Sequence, residues 1–271
     1  MGEAGKGNEQ EREKPLQTVR KKLIVLSGKG GVGKSTVSVN LAVALGLKGF
    51  KVGLLDIDIH GPNIPKMLGL DGIRPPIVEN RMYPVRYADK IKVMSMGFLL
   101  PDESQAVAWR GPLKHKMIQE FLYNVEWGEL DVLVIDSPPG TGDEILSIYA
   151  LLEDTLNGAV IVGTPQKVAL SDVKKSITFC KHTGIPIVGV IENMSGLVCP
   201  KCGEVIDVFQ SGGAEKMAEE MGVPFLGKIP MDPTVSRGGD AGKPVVLENP
   251  DSKPAQAFFD IVEKIKQTLG L

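Results

Sequence analysis

Three cysteines in 271 residues are too few for a disulfide framework. Charge of one sign is also lacking, since 31 basic and 33 acidic residues leave a formal charge of −2. That balance provides no global field to gather nucleic acid, and the densest basic clusters, Arg20-Lys21-Lys22 and Lys174-Lys175, are short. No run approaches the roughly 18 to 20 consecutive apolar residues of a membrane span. The polar stretch from Met1 to Arg20 carries no apolar segment of the kind a secretory signal needs. Together these absences exclude a disulfide-stapled secreted domain, argue against nucleic-acid and membrane partners, and point to the cytoplasm.

What remains is ordinary globular composition, 42% hydrophobic and 24% charged, in a chain long enough to bury a core. Residues 1–20 hold few apolar side chains and read as a flexible tail. From residue 21 to 271, strand-like and helix-like segments alternate without a composition shift, which favours one domain. Strand candidates begin at Lys22 and continue at Val52, Ile91, Val132, Ala159, Ile187 and Phe225. Helical spacing covers Lys34 to Leu47 and recurs near 112–124, 143–152, 168–183, 212–221 and 254–269. Several strands are apolar on both faces, as when helices cover both sides of a sheet. The expected fold is a single α/β domain with a mainly parallel, doubly wound sheet.

The segment Gly28-Lys29-Gly30-Gly31-Val32-Gly33-Lys34-Ser35-Thr36 fits G-x-x-x-x-G-K-[ST], follows a strand and opens a helix. Glycines let backbone N–H groups turn inward around anionic oxygens without a Cβ in the way. Lys34 places a charge against the β and γ phosphates, Ser35 offers a hydroxyl to Mg²⁺, and Thr36 reaches toward the α-phosphate. The start of the following helix adds a positive end. This pattern predicts a P-loop ATPase that binds ATP with Mg²⁺. Such a site needs a carboxylate for the metal and a group that orients the attacking water. Asp136, closing the apolar run 130–136, is the Mg²⁺ candidate. Asp56 and Asp58 stand two apart at a strand end, so their side chains are expected on one face. An unpaired buried carboxylate is costly, so neither is expected in the core. Asp58 is assigned to water activation and Asp56 to the surroundings of the magnesium, with the reverse assignment left open.

Lys29 together with Lys34 resembles the deviant phosphate-loop signature K-G-G-x-G-K-[ST] of the MinD, ParA and nitrogenase iron-protein group. Within that group the chain is similar to the Mrp/ApbC family of iron–sulfur cluster carriers. The likeness rests on Asp56-Ile-Asp-Ile-His-Gly-Pro-Asn-Ile-Pro65, Trp109-Arg-Gly-Pro112, Asp136-Ser-Pro-Pro-Gly-Thr-Gly-Asp143 and Glu192-Asn-Met-Ser-Gly-Leu-Val-Cys-Pro-Lys-Cys202. The resemblance implies a homodimer in which Lys29 reaches the partner's phosphates, apo iron–sulfur proteins as clients, and slow turnover. It also implies that Asn193 and a turn at Pro230-Met-Asp232 border the adenine. Roles for the segment 109–112 and for Arg237-Gly-Gly-Asp240 stay open.

Cys199 and Cys202 supply two thiolates, whereas a tetrahedral zinc or a cubane cluster takes four ligands. His60, His115 and His182 are isolated in sequence and read as structural or surface residues. A two-fold dimer brings two such pairs together and suits a bridged [4Fe–4S] cluster, with a bridging zinc as the alternative. A redox pair is the remaining reading, which Gly203-Glu-Val-Ile does not favour because such motifs usually sit at a helix start. Cys180, between Ile177 and other apolar residues, reads as a small buried side chain. The last helix places Phe258, Ile261, Val262, Ile265 and Leu269 on one face, and its mixed-charge polar face favours docking on the domain over binding to anionic lipid.

Overall fold

A computed structural model describes residues 16–59, 61–99, 111–152, 155–199, 201–208 and 211–271. The first β-α-β unit consists of β1 (Val19–Leu26), α1 (Lys34–Leu47) and β2 (Val52–Asp56). A short helix α2 (Ile64–Met67), the hairpin β3 (Ile77–Val78) and β4 (Arg81–Met82), then β5 (Val85–Tyr87) and β6 (Ile91–Ser95) follow. Next come α3 (Gly111–Tyr123), β7 (Leu130–Asp136), α4 (Asp143–Leu152), β8 (Gly158–Gly163) and α5 (Lys167–Thr183). The last third holds β9 (Ile187–Val198), β10 (Val205–Ile206), α6 (Gly213–Glu220), β11 (Phe225–Met231), α7 (Pro233–Asp240), α8 (Val245–Glu248) and α9 (Lys253–Leu269).

The main sheet has nine strands in the order β10-β9-β8-β1-β7-β2-β6-β5, with β11 also pairing β9. Only β5 and β10 run antiparallel to their neighbours. All residues of β2 and β8 are buried, so helices cover both faces, as the apolar runs require. Helices α1, α8 and α9 pack on one another, while α5 packs on β8 and α6. The stripe Phe258, Ile261, Val262, Ile265 and Leu269 is buried against the domain, as its charge pattern suggested. Among the described residues no helix is long and apolar enough to cross a membrane.

Parallel strands bring their C-terminal ends to one edge, and the register does so closely here. Val25 of β1 and Asp56 of β2 both pair with Asp136 of β7. The loop after β1 and the carboxylates after β2 and β7 therefore meet, at the edge where open α/β sheets bind ligands.

Several expectations need correction. The expected tail ran to residue 20, yet Leu16 and Val19 are buried in the core and β1 starts at Val19. Lys22 occupies an interior strand position, its Nζ donating to the Val19 carbonyl at 3.1 Å. Burial holds that ammonium below its usual range. Residues 1–15 lie outside the described residues, as do His60, Trp109 and Arg110. The hairpin β3–β4 was not anticipated, because its turn uses Glu79 and Asn80 at φ 49° and 61° with no glycine to mark it. Pro230 and Met231 are the end of β11 rather than a turn, and Asp232 is the extended N-cap residue of α7. Arg237 to Asp240 form the last turn of α7. A Cβ on Gly238 would stand 2.5 Å from the Lys243 carbonyl oxygen, which accounts for glycine there.

Candidate nucleotide site and thiol hairpin

The chain leaves β1 at Leu26 and turns through Gly28 to Gly33 before α1 begins at Lys34. Gly31 and Gly33 hold φ of 79° and 80°, a region that side chains avoid. Two neighbours grip the loop. Gly28 lies against the backbone of Asp172 in α5, and a Cβ on Gly33 would collide with Asn193 Nδ2. The loop walls a cleft of about 350 Å³, lined by Lys29, Gly30, Gly31, Gly33, Lys34, Ser35 and Thr36, with Asp58 and Asn63 opposite. That volume lies in the range of small-molecule sites. The Lys29 ammonium makes no ion pair among the described residues.

Lys34, Ser35 and Asp136 form one cluster. Lys34 Nζ stands 2.8 Å from Asp136 Oδ2 and 3.8 Å from Asp58 Oδ2. Ser35 Oγ donates to Asp136 Oδ2 at 2.7 Å, and Ser38 Oγ donates to Asp136 Oδ1 at 2.6 Å. Asp136 is fully buried, so these partners replace the water its charge loses. An all-oxygen set of one hydroxyl and two carboxylates beside a lysine suits Mg²⁺ on a phosphate chain. Ser38 was missed from sequence; its signal is the i, i+4 step from Lys34 on α1.

Asp56 and Asp58 part company, contrary to the shared face expected of them. The strand stops at Asp56, whose carboxylate accepts from Ser95 Oγ at 2.7 Å and from the Asp58 N–H at 3.1 Å. It is a core residue after all, with no exposed surface. Burial first, and the nearby Asp136 second, push its carboxyl up to about 8, which favours the protonated form. That resolves the cost which argued against a core position. Asp58 turns into the cleft, its Oδ1 accepting from the Gly61 N–H at 3.3 Å.

The residues expected at the adenine lie beside the cleft lining rather than in it. Asn193 pairs with Ile229 across β9 and β11, which places it next to Pro230 and Asp232 at one sheet edge. Its Nδ2 donates to the Val32 carbonyl at 2.9 Å, and the Asp232 carboxylate accepts from the Thr234 N–H at 2.7 Å.

Beyond Asn193, β9 runs on to Val198 and carries the thiols out on a hairpin closed by β10. The Cys199 N–H donates to the Glu204 carbonyl at 2.8 Å, and the Gly203 N–H returns to the Cys199 carbonyl at 2.9 Å. Gly203 sits at φ 75° to make that turn. Cys199 is half-buried and Cys202 exposed. Backbone N–H groups of Cys202 and then Lys201 point at the Cys199 sulfur, aided by the Cys202 side chain, and hold its thiol below the usual range. Cys180 differs: inside α5, burial pushes it up to about 12. His115 and His182 are exposed helix residues. Among the described residues no cluster of three or more His, Cys, Asp or Glu side chains is placed to hold a metal. One chain thus offers the hairpin's two sulfurs.

A glycine loop between strand and helix, a lysine and serine on a buried strand-end aspartate, and a parallel sheet define a P-loop nucleotide hydrolase. The model of the NUBPL iron-transfer P-loop NTPases, within ParA, matches residues 18–266, and the chain belongs to that family. It is similar to an iron–sulfur cluster carrier protein of Methanocaldococcus jannaschii, 53% identical over 250 residues, covering 92% of this chain and 85% of that protein. A protein of the same name from Methanococcus maripaludis is 47% identical over 94% of this chain and 87% of its own length. Among solved structures, a nucleotide-binding protein of Archaeoglobus fulgidus in complex with ADP aligns with TM-score 0.77 and 38% identity, covering 91% of this chain and 95% of that one. The cell-division ATPase MinD of Pyrococcus furiosus aligns with TM-score 0.68 and 28% identity over 92% and 99% of the two chains. The chain is an ATPase of the P-loop class.

Proposed function

We propose that this ATPase binds a [4Fe–4S] cluster as cargo between two copies of the chain and passes it to apo-proteins in the cytoplasm. The observation that carries the reading is the hairpin of Cys199 and Cys202, which presents two thiols outside the core, half of what a cubane cluster takes. Relatives about half identical are named iron–sulfur cluster carriers. A two-fold axis past the hairpin supplies the other two sulfurs, and a cargo held by two chains is released when they part.

At the nucleotide end, the loop amides and Lys34 bind the β and γ phosphates, and Thr36 the α-phosphate. Ser35 and Asp136 hold Mg²⁺, and Asp58, facing the cleft, orients the attacking water. Asp56 acts behind them by holding the backbone of Asp58. Lys29, lining the cleft, reaches the phosphates of the second copy. The adenine lies toward the edge that carries Asn193, Pro230 and Asp232. The apolar stripe of α9 is buried, so that helix is not free to serve a localisation role like that of MinD.

Anaerobic reconstitution with iron and sulfide, followed by optical absorption, tests the carrier role. Wild type takes up one cluster per two chains and Cys199→Ala/Cys202→Ala takes up none. Equal loading of both proteins, or no loading of wild type, overturns it. Zinc in place of iron, found by elemental analysis of protein purified without oxygen, turns the shared thiols into a structural bridge.

A further inference from the structure

Between the phosphate loop and the thiols runs one continuous strand. β9 lies two strands from β1, a lateral separation of about 10 Å. Along β9 three features follow one another. Glu192 is an anchor: its fully buried carboxylate accepts from the Gly212 N–H, the Ala214 N–H and Ser195 Oγ at 2.8, 2.8 and 2.5 Å. Asn193 points to the opposite face, as alternation along a strand requires, and holds the Val32 carbonyl inside the phosphate loop. Then the strand breaks its register. Ile229 of β11 pairs with Asn193 but Met231 pairs with Leu197, so three residues of β9 stand against Pro230 alone.

The break has a physical cause. Pro230 has no N–H to give, so the ladder loses a bond where β9 also parts from β8, the last pair there being Gly163 with Glu192. Met194 takes φ of 58°, unfavourable for a side chain, and Gly196 takes 72°. The Met194 side chain lies against the same face of Gly33 as Asn193 does. Past Gly196 the strand resumes, pairs with β10 and ends at Val198, next to Cys199. A pinned anchor, a contact on the phosphate loop, a bulge and a short arm ending in a thiol make up a lever.

We propose that the bulge at 193–196 transmits the state of the phosphate loop to the thiol hairpin, with Asn193 as the positioning residue that reads the loop. The inference rests on the reading that the thiol pair is a working site, though on no particular cargo. Closure of the loop amides around phosphates shifts the Val32 carbonyl. The Asn193 amide follows it, and the motion passes to the arm because residues 194–196 have no ladder partners of their own among the described residues, between the anchor at Glu192 and the Leu197–Met231 pair.

The test uses the full chain purified without cluster and a chromogenic thiol reagent. In wild type, saturating Mg²⁺ with a non-hydrolysable ATP analogue changes the labelling rate of Cys199 and Cys202 by about fivefold or more. Asn193→Asp keeps the shape but faces the Val32 oxygen with another acceptor, and Asn193→Ala removes the contact. In both, saturated with the analogue, the ratio falls to about one on the same scale. A wild-type rate indifferent to nucleotide, or a full response in both variants, overturns the proposal. Hydrogen exchange on wild type gives a second reading that needs no variant to fold. Amides at 194–196 and at Cys199 and Gly203 change protection together on adding the analogue, and hairpin amides that change without the bulge refute the lever. Neither readout involves iron or sulfide, so failure to load a cluster and failure of the lever are separate results.

Discussion

Asp56→Asn isolates the electrostatics beneath the phosphate loop. The Asp56 carboxyl titrates near 8 in the folded protein against 3.8 for an unperturbed aspartate, chiefly because it is buried. Between those values the folded chain keeps a proton that the unfolded chain has lost. The stability it contributes is fully present below the lower value and is lost as pH rises toward the upper one. Each pH unit in that window removes about 1.4 kcal/mol. Asparagine imitates the neutral acid: its Nδ2 donates to Ser95 Oγ and its Oδ1 accepts from the Asp58 N–H, so both contacts at 2.7 and 3.1 Å survive. The variant carries no such pH dependence. From pH 5 to pH 7 it gains on wild type by about 2 to 3 kcal/mol, in addition to the roughly 1.6 kcal/mol that wild type has already lost between pH 3.8 and pH 5. Urea unfolding of both proteins at pH 5, 6 and 7, without nucleotide or magnesium, measures this from midpoints at a shared slope. Parallel stability profiles across that range refute the argument, because they mean that Asp56 is already ionised in the fold.

Two further outcomes follow from the same geometry. Lys34→Ala removes the ammonium from the cleft and from Asp136, so calorimetric affinity for MgATP falls by about 100-fold or more; undiminished affinity contradicts the nucleotide site itself. Glu192→Ala leaves the N–H groups of Gly212 and Ala214 without their acceptor, at a cost of about 2 to 4 kcal/mol in denaturant unfolding, whereas Glu192→Gln retains part of the contact. A loss below about 0.5 kcal/mol shows that water replaces the carboxylate there.

The two ends of this molecule were legible in different degrees. The phosphate loop could be read residue by residue, because glycines, lysine and serine act through local backbone shape and short reach. The long β-branched runs announced the parallel sheet for a similar reason, since periodicity is a local property. The hairpin β3–β4 and the start of β1 were less visible. The start of β1 is held by pairing with the distant β7, and the hairpin's two-residue strands pair with each other and bridge to Val125; no glycine or long apolar run marks either.

By itself the chain determined that a lysine and a serine stand side by side at the end of one glycine loop, and that two thiols stand three residues apart. Those are consequences of covalent spacing. Only the tertiary structure decided that Asp56 is buried while Asp58 faces the cleft, because the strand ends between them and Ser95 comes from another strand. It also decided that Asn193, 161 positions from Val32, braces the phosphate loop and stands at the root of the thiol hairpin. Burial and register depend on what packs alongside, and neighbours brought together by a sheet leave no trace in the order of residues along the chain.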